Sequence, residues 1–229
     1  MRSNAETREK AIALERRLAA VYGREELSSR MDDPVDTLVE TILSQNTTDA
    51  NSHRAYLALR AAYPRWESLI GERPDAVARI IRSGGLADLK AERIISSLRV
   101  IRESRGSIEL DFLREMRPTD ADAWLAKMKG VGPKTRAIVL LFSLGMPVFP
   151  VDTHVHRVSR RLGLIGPKTT RAAAQDELAS IVPKSKYYSF HINLIRHGRM
   201  VCRARNPKCQ ECQVRRACAF FATHRKAQA

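Results

Sequence analysis

The 229-residue chain sets 40 Lys plus Arg against 25 Asp plus Glu, a net charge of +15, on an ordinary apolar content of 44%. That balance implies a folded protein with a polyanionic partner, nucleic acid before a membrane surface. No run of roughly eighteen apolar residues is available to cross a bilayer, and the charged start MRSNAETREK lacks the apolar core of a secretory signal. A reducing, cytoplasmic or nucleoid-associated setting is expected, with no membrane partner.

Helical periodicity runs almost throughout. Ile12, Leu14, Leu18 and Val21 fall on one face of a helix over 8–21. Asp33-Pro34 predicts an N-cap followed by a first-turn proline, opening a helix that carries Val35, Leu38, Val39, Ile42 and Leu43. The polar stretch Ser44-Gln45-Asn46-Thr47-Thr48-Asp49 interrupts, and a helix through Tyr56, Leu57 and Leu59 ends before Pro64. Short helices follow over 66–70 and 74–81, then Gly84-Gly85 as a stop, then an amphipathic helix through Ile94, Ile95, Leu98 and Ile101. Thr119-Asp120 reads as the cap of a helix bearing Trp124, Leu125 and Met128. Beyond Gly130-Val131-Gly132-Pro133, residues 134–144 are apolar nearly all round, the pattern of a helix buried at a domain centre. Helices over 153–162, 170–182 and 186–197 precede a cysteine-rich segment, and the tail His224-Arg225-Lys226 is expected to fray. Without any period-two alternation, the fold is predicted to be all-α.

All four cysteines lie close together, Cys202, Cys209, Cys212 and Cys218, spaced C-x6-C-x2-C-x5-C. Nothing else suggests a secreted disulfide scaffold. Structural zinc usually takes two paired knuckles across a longer loop, so this short uneven wrap favours an iron–sulfur cluster over zinc. Arg203, Arg205 and Lys208 make the same segment basic.

Four other stretches can carry chemistry. Gly130-Val131-Gly132 between two apolar helices reads as a helix–hairpin–helix turn, whose backbone N–H groups seat a phosphate, against the blander reading of an ordinary αα turn. Lys134 stands in the first turn of the apolar helix, where burial and the helix dipole lower an amine's pKa and so favour a nucleophile; a phosphate-contacting lysine is the alternative. Asp152 begins a helix after the apolar run Phe149-Pro150-Val151; it reads as an N-cap, or as a carboxylate facing Lys134. His154 and His156 fall on different helix faces and are read as structural or DNA-proximal. Gln45 and Asn46 offer amides that could replace a lost base partner in a duplex, or belong to a capped loop. Leu86, just past the glycine pair, has the character of an apolar wedge between base steps, or of a loop anchor.

Taken in order, G-V-G-P-K-T, then V-D-T-H with Asp152 eighteen residues past Lys134, then the four-cysteine wrap, resemble the endonuclease III family of DNA glycosylases. Leu43-Ser44-Gln45-Asn46-Thr47-Thr48-Asp49 and His197-Gly198-Arg199 match the family's stretches too, so the resemblance runs from residue 35 to Cys218. It implies an all-α protein of two helical domains, 33–146 with the hairpin and 1–32 plus 147–229 with the cluster, separated by a DNA cleft. It implies a 4Fe–4S cluster on the four cysteines, Lys134 as nucleophile and Asp152 as catalytic carboxylate. Asn46 falls at the place of the duplex-filling glutamine, with Gln45 beside it, and Leu86 at the wedge. The implied activity is removal of damaged, oxidised pyrimidine bases from double-stranded DNA, with β-elimination at abasic sites, by a monomer. A monofunctional mismatch glycosylase of the same fold would use water and typically lacks a lysine at 134. A non-catalytic helix–hairpin–helix protein would not need both Lys134 and Asp152. Met128-Lys129 stands where the family often has Leu-Pro.

Overall fold

The computed structural model describes residues 4–27 and 32–226, and among them every regular element is helical. The chain divides into two compact units, Arg30–Met146 and Met1–Ser29 with Pro147–Ala229.

The second unit in that pairing opens with α1 (Asn4–Tyr22), which buries Ala11, Leu14 and Leu18. Val21, read as part of that face, is instead 45% exposed, because the buried stripe narrows to the i, i+3, i+4, i+7 set that ends at Leu18.

The Arg30–Met146 unit is built from α2 (Pro34–Leu43), α3 (Asp49–Ala62), α4 (Pro74–Ile80), α5 (Ala87–Arg105), α6 (Pro118–Leu125) and α7 (Pro133–Ile138). Asp33 caps α2 as its sequence requires, accepting from Val35 N at 2.8 Å and Asp36 N at 3.0 Å. Helix α2 is the axis of the unit, with Val35, Leu38, Val39, Ile42 and Leu43 all buried, and it packs against α3, α5 and α7. The expected Thr119-Asp120 cap is not formed: α6 starts one residue earlier, at Pro118, behind Arg117. Proline is pre-set for the first helical position, and Asp120 becomes a first-turn acid bonded to Arg117 at 2.7 Å. Past Ile138 the buried helix widens into one π turn over Val139–Ser143, and the Ser143 hydroxyl bonds Thr37 Oγ1 of α2 at 2.6 Å. Gly145 then turns with φ 65°.

The other unit is completed by α8 (Thr153–Leu162), α9 (Arg171–Ile181), α10 (Tyr187–Met200) and α11 (Ala219–Lys226). Helix α1 packs on α10 and α9, and its end is tied to α10 by Asn193 Nδ2 on the Gly23 carbonyl at 2.9 Å and Arg196 on the Tyr22 carbonyl at 3.1 Å. Gly198 brings α10 against α8: a Cβ there would lie 3.1 Å from His154 Cβ. The predicted frayed tail is a helix. Its start is held because Phe220 lies under the Arg161 guanidinium, 4.7 Å from ring centroid to Cζ, and α11 packs on α8.

Candidate functional site

In the Arg30–Met146 unit, three chain-distant turns are tied together by side chains of α5. The hairpin turn places Gly130 at φ 84°, a left-handed conformation that costs an L side chain roughly 1–2 kcal/mol. The space above it is taken as well, since a Cβ on Gly130 would lie 2.5 Å from Arg93 Cδ and Nε. Val131 is buried, and its N–H donates to the Met128 carbonyl at 3.2 Å. It therefore anchors the turn from within. Arg136 closes the base of the hairpin, donating to Asp122 Oδ1 at 2.8 Å and to the Val131 carbonyl at 3.2 Å. At Gly132, by contrast, an added Cβ would meet nothing within 4 Å. This open glycine is the N-cap of α7, where a helix presents donors that its own turns leave over. Lys134 follows in the first turn, half-buried, and Lys129 is exposed.

The structure separates the roles of Gln45 and Asn46. Gln45 Nε2 donates to the Gly130 carbonyl at 3.2 Å and lies 3.4 Å from Thr135 Oγ1, while its Oε1 accepts from Arg93 Nη1 at 2.6 Å. Gln45 thus braces the hairpin. Asn46 is exposed, at φ 53°. Thr48, two residues on, caps α3 by accepting from Asn51 N at 3.3 Å. Leu86 is 54% exposed and left-handed at φ 49°. Asparagine tolerates that region, but for an apolar side chain it is strain that the surroundings must hold.

Sequence reasoning missed Lys90. Its side chain is buried, 1% exposed, and its Nζ donates to the carbonyls of Leu43 and Gly84, each at 2.7 Å. A lysine at one position of an otherwise amphipathic helix reads as a solvated charge, so only its place on the buried face, with Ala91 and Ile94, could have marked it. Arg93, one turn on, was likewise unread.

In the other unit, Asp152 caps α8, its Oδ1 accepting from Val155 N at 2.7 Å. The run before it is nailed down: Phe149 is fully buried and meets Tyr187 edge-on at 5.2 Å, and the Pro150 carbonyl faces His191 Nδ1 at 2.9 Å. Asp152 is therefore a carboxylate on a rigid mount. His154 Nδ1 lies 3.1 Å from Arg157 Nη2, and His156 Nε2 2.8 Å from the Thr169 carbonyl, which gives both structural contacts. Burial holds the His154 imidazole below its ordinary pKa, with Arg157 and Arg199 adding to the shift and Asp152 opposing it.

Cys202, Cys209, Cys212 and Cys218 line a single cavity with Leu162, His197 and Phe220, and none is in a disulfide. Among the described residues no group of three or more His, Cys, Asp or Glu side chains is placed to hold a single metal ion. The cavity wall is braced from α8 by two arginines that sequence reasoning passed over. Arg157 donates to the carbonyls of Gly198 at 2.9 Å and Cys202 at 3.2 Å. Arg161 donates to those of Arg203 at 2.6 Å and Ala204 at 3.0 Å, and lies 3.5 Å from Cys202 Sγ. Burial pushes the Cys212 thiol up to about 11, and also raises Cys209 and Cys218, with the neighbouring cysteines adding to each shift. Buried His197, 3.6 Å from Cys212 Sγ, is driven down to about 4 by desolvation. Arg203, Arg205 and Lys208 are exposed on the same loop, Lys208 paired with Glu211 at 3.2 Å. No helix among the described residues is long and apolar enough to cross a membrane.

With this geometry in hand, comparison with known proteins is specific. The sequence pattern of the HhH-GPD superfamily base excision DNA repair proteins matches residues 39–184. Endonuclease III of Thermotoga maritima is 33% identical over 189 residues, 82% of this chain and 84% of the relative. An Arabidopsis thaliana protein is 36% identical over 166 residues, 72% of this chain but 57% of that longer protein. Among solved structures, a trapped endonuclease III–DNA covalent intermediate superposes with a TM-score of 0.80 at 26% identity, covering 98% of this chain and all of that one (100%).

Proposed function

The chain belongs to the endonuclease III family, within the HhH-GPD superfamily of base excision DNA repair proteins, and from that premise we propose the reaction its residues perform. The protein is a base-excision DNA glycosylase with associated AP lyase activity. Its substrate is double-stranded DNA carrying an oxidised pyrimidine or an abasic site; such lesions pair and stack poorly, which lowers the cost of turning the nucleotide out of the duplex.

Lys134 is the nucleophile. Its neutral amine attacks C1′ of the deoxyribose, the N-glycosidic bond breaks, and the base leaves with the bonding electrons and takes up a proton. Asp152 stabilises the positive charge that develops on the sugar. Ring opening leaves a Schiff base on Lys134, loss of the C2′ proton expels the 3′ phosphate by β-elimination, and water releases the lysine. The hairpin N–H groups at Gly130 and Gly132 hold a backbone phosphate and carry no sequence information. Asn46 fills the place of the extruded base, Leu86 wedges the step, and Arg203, Arg205 and Lys208 meet phosphates.

The observation that carries this reading is the braced hairpin: Gly130 in a conformation only glycine adopts freely, locked by Arg93 and Gln45, with Lys134 in the first turn of the helix it opens. The test is borohydride trapping on oligonucleotides carrying thymine glycol or an abasic site. An undiminished covalent adduct with Lys134→Ala, or none with the wild type, sinks the assignment.

The four cysteines fit a 4Fe–4S cluster. An all-thiolate donor set is the soft set that such clusters take, and the four cysteines line one cavity. When bound, the group cross-links the loop through four thiolates. The reaction itself runs through Lys134 and Asp152.

A further inference from the structure

We propose that Lys90 is a positioning residue that fixes the Asn46 turn and the Leu86 turn in one register, so that the two enter a duplex as a single device. The inference rests on the reading above that Asn46 and Leu86 are the residues that enter. It is drawn from the placement of one buried ammonium.

Lys90 Nζ bonds Leu43, the last residue of α2 and three before Asn46, and Gly84, two before Leu86. Its own N–H donates to the Leu86 carbonyl at 3.0 Å. The turns are pressed together around it: a Cβ on Gly84 would lie 3.2 Å from Ala55 Cβ, 3.9 Å from the Leu43 carbonyl oxygen and 4.0 Å from Lys90 Nζ. The carbonyls at the end of α2 lack helical partners and sit at the negative end of the helix dipole, which favours a cation there. A buried cation is otherwise costly, and an apolar residue of equal length would fill the space without it. What the ammonium adds is a joint donor to two backbone oxygens on different turns.

Both turns have left-handed backbone to hold: Asn46 and Leu86 are two of the three non-glycine residues with positive φ among the described residues, and at Leu86 this is strain, which persists only where its surroundings over-determine it. Arg93, one turn further along α5, extends the same link to Gln45 and the hairpin. One face of α5 therefore sets the duplex-filling turn, the wedge and the phosphate seat against one another.

The test compares an abasic site in a duplex with the same site in a single strand, where no gap needs filling and no step needs wedging. Wild-type trapping on both substrates establishes the lyase reading independently. Lys90→Met, which keeps length and removes the donors, is expected to lose about tenfold or more in trapping rate on the duplex, the scale of a small misplacement, and to stay within about twofold on the single strand. Adding Leu86→Ala to Lys90→Met is expected to cost less than adding it to the wild type. Equal losses on both substrates, no loss on the duplex, or full additivity with Leu86→Ala each overturn the proposal. In the wild-type protein, which needs no variant to fold, hydrogen exchange at 44–49 and 84–87 must slow together on binding a duplex with a tetrahydrofuran abasic analogue. Protection of one turn without the other also overturns it.

Discussion

The Gln45 side chain and the Gly130 carbonyl, 85 residues apart in sequence, meet in a hydrogen bond of 3.2 Å. With Arg93 on its other end, Gln45 is committed to the protein, and Asn46 is the amide presented to solvent. Gln45→Ala should therefore lower stability by roughly 1–3 kcal/mol, by leaving half-buried donors and an acceptor without partners. Asn46→Gly should fold as well as the wild type, since glycine takes φ 53° without strain, yet lose preference for the base opposite the lesion. Urea denaturation and single-turnover excision against the four opposite bases separate the two roles.

The two hairpin glycines should respond differently to a methyl group. Gly130→Ala strains the backbone and drives Arg93 off Gln45, so a loss of about 1–2 kcal/mol from φ alone is joined by a weakened brace. Gly132→Ala meets open space at an ordinary φ of −79° and should leave the melting temperature unchanged. Its methyl would stand where the proposed reading seats a phosphate, so duplex affinity should fall in a sequence-independent way. Calorimetry and a binding titration at fixed salt check the pair.

The helices were legible in the sequence because their apolar spacing matches burial: α2 and α8 run over the residues their periodicity marks. The links between them were not. Lys90, Arg93, Arg157 and Arg161 read along the chain as exposed charges, and they reach backbone carbonyls or, for Arg93, the Gln45 side-chain oxygen, up to 48 residues away, which no local pattern records. The misread cap at Thr119-Asp120 has a local cause, since a proline one residue earlier outcompetes a side-chain cap for the helix start.

Buried Lys90 gives a pH dependence with a definite sign. Burial, and secondarily the charge of Arg93, hold its ammonium below the ordinary value of 10.5. Between the folded value and 10.5 the unfolded chain binds more protons, so stability rises with pH through that window and falls as pH drops through the folded pKa. Relative to Lys90→Met, the wild type should gain stability as pH rises toward 10.5. Urea midpoints of both proteins measured at each pH give the difference, which cancels the other alkaline titrations.

Removing a cysteine tests the proposed cluster separately from the chemistry. Cys212→Ser should abolish visible absorbance and bound iron and sulfide, and lower the melting temperature, because ligand binding there is folding free energy for the loop. Arg161→Ala, which frees the carbonyls of Arg203 and Ala204, should retain iron at first and lose it faster under chelator. Iron analysis over time distinguishes the two variants.

Asp152 serves as a helix cap in the structure and as a catalytic carboxylate in the proposed reaction, and two substitutions divide these roles. Asparagine caps a helix about as well as aspartate, so Asp152→Asn should keep the bond to Val155 N and the stability of α8. It removes only the negative charge, and excision should fall steeply while duplex binding holds. Asp152→Ala removes both, and should cost about 1 kcal/mol of stability in addition. If the carboxylate were only a cap, Asp152→Asn would excise at the wild-type rate. Single-turnover kinetics beside thermal denaturation of both variants decides between the roles, since charge and cap are lost together only in the alanine protein.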